Sequence, residues 1–339
     1  DIDEERQSKV AVVVDWILKD LKSSIKLTVT TDKETAYTNA KFVFAQMRVG
    51  KYEMREHDEK ISLKHGVVGQ ETCGCGGMAY GLRTIFPMID VIDDVEKYAR
   101  KDYWILNYSN PAAIVAIATK KLRPDARIIN ICDMPIAIIE MIGKCVGIED
   151  YVNIDVDYFG LNHFGWFTRM EYQGRDIIKE IREYTKETGI MLPKQHIDAI
   201  NKHLSTGDRH ANQSWIKVWK NAARMMELSS EYVPNTYMNY YLFPKENVEA
   251  SDPNFTRANE VMNTREKALF EGVDRYLATG EIDNKVFYAG AHGNYIADLA
   301  AALLGKTERK FIVIEKNDGK IPNLSDDVMV ELPAVITEN

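Results

Sequence analysis

The sequence predicts an α/β protein: a doubly wound parallel sheet within residues 1–150, then a mixed α+β region over residues 151–339. Three features of the chain point to it. Strand-like and helix-like runs alternate between Lys41 and Cys145 at the spacing of right-handed crossovers. Past residue 150 the alternation gives way to hairpins and isolated helices. Polar, chemically able residues gather where predicted strands stop and helices start, which is where open α/β sheets bind ligands.

In chain order, Glu4 to Lys22 places Val10, Val13, Val14, Ile17, Leu18 and Leu21 on one helical face. Lys26 to Thr30 alternates like a strand, and Thr31 to Asn39 is a short helix that Thr31 or Asp32 can cap. Lys41 to Met47 is rich in β-formers, and Arg48 through Arg55 reads as a polar loop. Met88 to Tyr98 is a helix, Trp104 to Tyr108 a buried strand and Ala112 to Leu122 a helix. Arg127 to Cys132 is a strand, and Ile136 to Cys145 a helix. Tyr151 to Tyr158 alternates as a strand, and Trp166 to Ile177 turns at Gln173-Gly174. Helical patterns follow at Ala199–His203, Trp215–Met226, Arg257–Thr279 and Asn294–Leu304. Lys310 to Glu315 and Ile321 read as a hairpin turning at Asn317-Asp318-Gly319, and Val328 to Pro333 is strand-like.

Composition narrows the partners. Of 339 residues, 45% are hydrophobic and 28% charged, as in ordinary globular proteins. The net charge is −8 with no basic block, which argues against nucleic acid. No run reaches the ~18 apolar residues of a membrane helix, and Asp1 to Arg6 lacks a signal-peptide layout. Four cysteines are too few for a disulfide framework at this length, so a reducing cytoplasm is the simplest setting. The chain opens on Asp1-Ile2-Asp3 and stops just after a strand-like run, so it is expected to be part of a longer protein.

Four segments could carry chemistry. Arg48 through Arg55, then Gly69-Gln70-Glu71-Thr72-Cys73-Gly74-Cys75-Gly76-Gly77, combines arginines with a glycine-rich piece whose N–H groups could approach an anion. A flexible, solvated loop is the plainer alternative. Cys73 and Cys75 have no second Cys pair to complete a zinc site. Asn107-Tyr108-Ser109-Asn110-Pro111 joins a strand to a helix; Asn110 is either a cap or a donor to a sugar or cofactor. Cys132-Asp133, with Asn162-His163 further on, offers a thiolate and an imidazole for one divalent metal and a carboxyl free for acid–base work. Singly, a buried Cys or His is more often core. Pro234-Asn235-Thr236-Tyr237, then Tyr240, Tyr241 and Arg257, is either core or a proton acceptor near an arginine.

Together, and in this order along nearly the whole chain, these segments resemble the NAD- and metal-dependent glycosidases of glycoside hydrolase family 4. Cys132-Asp133-Met134-Pro135 resembles the subgroup acting on 6-phospho-α-glucosides. The resemblance implies a Rossmann-like NAD-binding domain over 1–150 and a catalytic domain over 151–339, in a cytoplasmic homo-oligomer. It implies Cys132 and His163 as ligands of Mn²⁺ or another divalent metal, Asp133 as general acid and Tyr237 as base. Arg55, Glu71, Asn110, Asn162 and Arg257 fall at substrate positions, with Arg257 for the 6-phosphate. Asp1, Asp3, Arg48 and Asn107 fall on the cofactor side; Asp1 or Asp3 would meet the adenosine ribose. The family's first strand and glycine-rich loop, which receive the NAD pyrophosphate, would precede Asp1, and further helices would follow residue 339.

The implied reaction is redox-neutral overall. NAD⁺ oxidises C3 of the sugar, the C2 proton leaves, the C1–oxygen bond breaks, water adds and the hydride returns. Other specificities on the same scaffold, toward 6-phospho-β-glucosides or unphosphorylated sugars, stay open, as do a sugar or hydroxyacid dehydrogenase and a sugar-phosphate sensor.

Overall fold

In the computed structural model, which describes residues 1–205, 213–282 and 290–337, two sheets meet. The first has the order β1 (Phe42–Ala45), β2 (Trp104–Asn107), β3 (Ile128–Asn130), β8 (Lys310–Lys316), β9 (Met329–Val335). Strands β1, β2 and β3 are parallel; β8 and β9 are antiparallel additions. The second sheet holds β4 (Asp155–Leu161), β5 (Phe164–Tyr172), β6 (Arg175–Asp176) and β7 (Val233–Pro234).

The parallel part is wound on both faces. Ile105 and Leu106 are neighbours on β2, so their side chains point to opposite sides. Ile105 packs with Met88, Ile92, Val95 and Val115, whereas Leu106 joins the main core with Ile138, Ile142, Phe167 and Phe311. Both residues are fully buried. The helices that cover these faces include α4 (Gly74–Tyr98), α5 (Ala112–Leu122) and α6 (Met134–Cys145).

Three earlier helices lead in. Helix α1 (Glu4–Asp20) starts at an Asp3 cap and has acidic residues in its first turn. Its apolar face packs only partly, and none of its residues is fully buried. Helix α2 (Lys33–Tyr37) is capped by Asp32. Helix α3 (Lys51–Lys64) occupies much of the segment expected to be a loop. Its buried face is Arg55, Asp58, Glu59 and Ser62, a helical stripe made wholly of polar residues. Hydrophobic periodicity is blind to such a face.

Other differences have equally local causes. Helix α4 begins at Gly74, not Met88, and absorbs the glycine-rich piece into its first turns. Lys26–Thr30 alternates but has no ladder partner among the described residues, and it runs as exposed coil. Strand β8 pairs with β9, Lys310 opposite Val335, rather than with Ile321. Asn317 closes the intervening loop instead: its side chain accepts from Ile321 N at 2.7 Å and donates to Leu324 O at 3.0 Å. Strands β8 and β9 thus return from the second half of the chain to extend the first sheet. That return brings β9 against β4 and sets the two sheets around one site.

Candidate active site

Strand β3 stops at Asn130, and the chain passes through Cys132 and Asp133 into α6, with Pro135 in its first turn. Cys132 is buried among Ala112, Ala116, Ile314 and Met329. Asp133 is the half-buried N-cap residue of α6, but its side chain makes no capping bond. Its Oδ1 lies 4.0 Å from Cys132 Sγ.

His163 comes from the other sheet. Leu161 pairs with Phe164, so Asn162-His163 is a two-residue turn between β4 and β5. His163 sits at φ +66°, a conformation that costs a non-glycine residue roughly 1–3 kcal/mol. The strained turn aims the ring at the end of β3. Nε2 lies 3.4 Å from Cys132 Sγ, and Nδ1 lies 3.1 Å from Thr72 Oγ1. The Tyr237 ring meets the imidazole edge-on, with centroids 4.7 Å apart.

A buried network fixes both the imidazole turn and the tyrosine. Glu331, on β9, is fully buried. It accepts from Asn162 Nδ2 and from the Tyr158 hydroxyl, each at 2.9 Å. The Tyr158 hydroxyl accepts from Asn235 Nδ2 at 3.1 Å, and Asn235 Oδ1 accepts from Tyr237 N at 3.0 Å. One carboxyl group therefore ties the turn bearing His163 to the turn bearing Tyr237. Glu331, Tyr158 and Asn235 carry no local sequence signal for this role, because the network exists only once β9 lies beside β4.

Burial favours the uncharged forms of His163, Cys132, Tyr237 and Glu331. It lowers His163 to about 4, so the imidazole is neutral at physiological pH. Burial, then Glu331 and Asp133, push the Cys132 thiol well up. Burial and Tyr240, with Glu71 and Asp133, push Tyr237 up as well. Glu331 is raised to about 7, chiefly by burial, against its two hydrogen-bond donors. A neutral imidazole and a thiol that ionises only when a cation takes its proton's place suit a divalent metal. Among the described residues no group of three or more His, Cys, Asp and Glu is placed to hold an ion. Cys132 and His163 would therefore hold such an ion as a pair, with its remaining positions left to other donors.

The other end is strongly ionic. Arg55 donates to Glu59 Oε1 at 2.8 Å and pairs with Glu71 Oε2 at 2.8 Å. Arg48 also pairs with Glu71, stacked near the rings of Tyr52 and Tyr80. Burial opposes charge on Glu71, yet Arg55 and Arg48 hold its carboxyl below the usual range. Glu59 Oε2 accepts from Ala258 N at 2.9 Å and so docks the helix Arg257–Val261 against α3. Arg257 pairs with Glu260 at 2.6 Å. Arg265 follows on the π-helical segment Met262–Glu266, a geometry frequent at functional sites. By surface area the residue is exposed, yet the protein crowding its guanidinium and then the Arg257 charge lower its pKa. Among the described residues Arg265 has no carboxylate partner. The sequence reading missed it, as it missed Gln70 and Thr72 inside a motif it had singled out.

The remaining predicted residues fall nearby in differing states. Asp3 caps α1 through Arg6 N at 3.0 Å and receives Lys51 Nζ at 2.5 Å, which places it beyond the end of β1. Asp1 Oδ1 accepts from Asp3 N. Asn107 is fully buried; its amide bridges to Asn130 at 2.8 Å and holds Ser109 N at 3.0 Å, so its side chain is committed to the strand ends. Asn110 follows in the same connection, half-buried, ahead of α5.

Comparison with known proteins identifies the family. The family model "Family 4 glycosyl hydrolase" matches residues 1–148, and "Family 4 glycosyl hydrolase C-terminal domain" matches residues 158–339. The chain is 45% identical to 6-phospho-alpha-glucosidase 1 of Lacticaseibacillus paracasei, spanning all of this chain and 74% of that protein. Two solved structures of 6-phospho-alpha-glucosidases from gut microorganisms superpose on all of it and on 74% of their own length. One, in complex with NAD and glucose-6-phosphate, has a TM-score of 0.91 and 43% identity. The other, with NAD and Mn²⁺, has a TM-score of 0.89 and 39% identity. Two family models covering nearly every residue, and a relative this similar along the whole chain, place it plainly: it belongs to glycoside hydrolase family 4.

Proposed function

We propose that the chain hydrolyses 6-phospho-α-glucosides, such as maltose 6′-phosphate, with NAD⁺ and Mn²⁺. The observation that carries this is the meeting of Cys132, His163, Asp133 and Tyr237 at one end of a site whose other end is a cluster of arginines. When bound, NAD⁺ supplies a hydride acceptor and the metal a Lewis acid. Cys132 and His163 would hold the metal.

The chain's own residues divide the remaining work. Asp133 gives a proton to the glycosidic oxygen as its bond to C1 breaks. Tyr237 takes the C2 proton. Burial and acidic neighbours hold its phenol up, so it yields its own proton only where further positive charge is brought to the site, as a divalent metal held by Cys132 and His163 would bring it. Arg257 and Arg265 bind the 6-phosphate, for which planar guanidinium donors suit. Arg55 and Glu71 act as a braced pair beside the sugar, and Asn110 and Asn162 donate to its hydroxyls. Asp1 and Asp3 face the ribose of NAD, with Arg48 and Asn107 shaping the cofactor side.

Residues 1–150 hold the cofactor, and residues 151–339 supply the base, one metal ligand and the phosphate site. No described helix is long and apolar enough to cross a membrane. A phosphorylated substrate and NAD support a cytoplasmic enzyme, and the family resemblance supports a homo-oligomer. Family membership sets aside the simple dehydrogenase alternative.

The test is hydrolysis of p-nitrophenyl α-D-glucopyranoside 6-phosphate, with and without NAD⁺ and Mn²⁺, beside the β-anomer and the unphosphorylated sugar. Cleavage of the α-phosphorylated compound alone, requiring both additives, is expected. Cleavage of the β-anomer alone would overturn the anomer assignment, and turnover without NAD⁺ would overturn the redox mechanism.

A further inference from the structure

The loop ahead of α4 carries two polar side chains that the reaction above does not use, Gln70 and Thr72. Gln70 is buried, and its Oε1 accepts from Thr72 N at 2.6 Å and Cys73 N at 2.8 Å. A backbone N–H can only donate, so these two bonds settle which end of the amide is oxygen. Thr72 Oγ1 lies 3.1 Å from the same Oε1. A carbonyl oxygen has no hydrogen to give, so the hydrogen in that contact is the threonine's. Thr72 Oγ1 then turns lone pairs toward His163 Nδ1, 3.1 Å away. Nδ1 must supply the hydrogen of that bond. Cys73 Sγ, 3.8 Å from the same nitrogen, is only a weak donor or acceptor, and the Thr72 contact at 3.1 Å sets the direction.

A neutral imidazole carries one ring hydrogen. With it on Nδ1, the Nε2 lone pair is bare, and Nε2 is the nitrogen that faces Cys132 Sγ at 3.4 Å. In the opposite tautomer an N–H would point there and exclude a cation. The glycines that follow fix the loop in place. A Cβ at Gly76 would lie 2.7 Å from Gln70 O, and one at Gly77 would lie 2.5 Å from the Thr72 carbonyl carbon. Only glycine at both positions lets α4 press this close to the relay.

We infer that Gln70 and Thr72 form a one-way hydrogen-bond relay that holds His163 in the tautomer whose Nε2 is open to a divalent cation. They are positioning residues: neither touches the sugar or the ion, and they set the state of one that does. The inference rests on reading Cys132 and His163 as the metal pair, and its first readout needs no metal.

The experiment uses the full chain with ¹⁵N-labelled imidazoles, the His163 signal being assigned by its loss in His163→Gln. In the metal-free protein the hydrogen is expected on Nδ1. Thr72→Val, equal in shape but without the hydroxyl, should lose that preference and weaken Mn²⁺ binding about 10–100-fold, the usual effect of removing a partner of a ligating His. Binding is read from the electron paramagnetic resonance signal of free Mn²⁺. Thr72→Ser, which keeps the hydroxyl, should restore both properties. A wild-type hydrogen on Nε2 would overturn the relay. So would a Thr72→Val protein that keeps the Nδ1 hydrogen, whatever its Mn²⁺ affinity, because the threonine would then only fill space. Should Thr72→Val not fold, Gln70→Met removes the acceptor that sets the direction and is expected to give mixed tautomers. A wild type with the Nδ1 hydrogen but no Mn²⁺ binding would support the relay and sink the metal-dependent reading instead.

Discussion

At the Cys132–His163–Tyr237 end, burial favours the uncharged form of all three groups: the imidazole falls to about 4, while the thiol and phenol rise. At the arginine end, buried and half-buried groups pair instead: Arg55 and Arg48 share Glu71, and Arg55 also meets Glu59. Arg48, Arg55, Arg257 and Arg265 gather there with Glu59, Glu71 and Glu260, so guanidinium groups for an anion stand on one side of the site. Paired charges survive burial and unpaired ones do not. The first end thus keeps its imidazole, thiol and phenol uncharged, and the second gathers guanidinium groups for an anion. Chemistry and recognition are separated by electrostatics within one site.

The largest expected effects strike the neutral end. Asp133→Asn and Tyr237→Phe should each lower kcat on maltose 6′-phosphate by roughly 10²–10⁴-fold, the usual contribution of one acid or base. An activated p-nitrophenol leaving group needs little protonation, so with that substrate Asp133→Asn should lose far less than Tyr237→Phe. Equal losses on both substrates would mean that Asp133 does not act on the leaving oxygen.

At the charged end the next effect is on stability. Glu59 is fully buried and serves both Arg55 and the start of the Arg257 helix. Glu59→Ala leaves Arg55 with one carboxylate fewer in a buried setting and should cost about 3–5 kcal/mol in urea unfolding. A loss below about 1 kcal/mol would show that Glu71 alone compensates the guanidinium.

Two groups at the neutral end oppose each other in pH dependence. His163 falls from an ordinary 6.5 to about 4, so its contribution to stability is full above pH 6.5 and lost as pH drops toward 4. Glu331 rises from 4.5 to about 7, so its contribution is full below pH 4.5 and lost as pH climbs toward 7. Across the shared window the two nearly cancel. Glu331→Gln removes one of them. Relative to wild type, that variant should gain stability between pH 4.5 and 7, by up to about 3 kcal/mol in the metal-free protein. Urea midpoints at several pH values read this directly, and a pH-independent difference would exclude a raised Glu331.

How much of this the sequence could show depends on the kind of signal. Ala112–Leu122 was readable to the residue, because an apolar helix between two strands has an unmistakable period. Cys132-Asp133 was readable because a thiol and a carboxyl beside a proline mark a strand-to-helix junction. Helix α3 was hidden because its buried stripe, Arg55, Asp58, Glu59 and Ser62, imitates a solvated face. Glu331 was hidden because a lone acid in an apolar strand says nothing of which neighbour the strand will find, and here that neighbour arrives from a distant part of the chain. Thr72 and Gln70 lay within a motif whose glycines drew attention to backbone N–H groups, whereas the structure spends those glycines on close packing.

The smallest effect sharpens the charged end most. Arg257 and Arg265 both stand near the site, but Arg257 already has Glu260 at 2.6 Å, while Arg265 is crowded by like charge. A guanidinium held beside other guanidiniums gains more from an arriving dianion than one already paired, because the anion relieves repulsion as well as adding attraction. Arg265→Met should therefore raise KM for the 6-phosphorylated substrate about 10–100-fold, equivalent to the ~1.5–3 kcal/mol of one charged hydrogen bond. It should leave kcat within a few-fold, since Arg265 is placed at recognition rather than at the reacting carbons. The methionine keeps much of the apolar stem and removes the head. If the variant instead loses kcat at unchanged KM, Arg265 acts on the reacting end through Tyr237, and the division of the site into a neutral and a charged half fails at that residue.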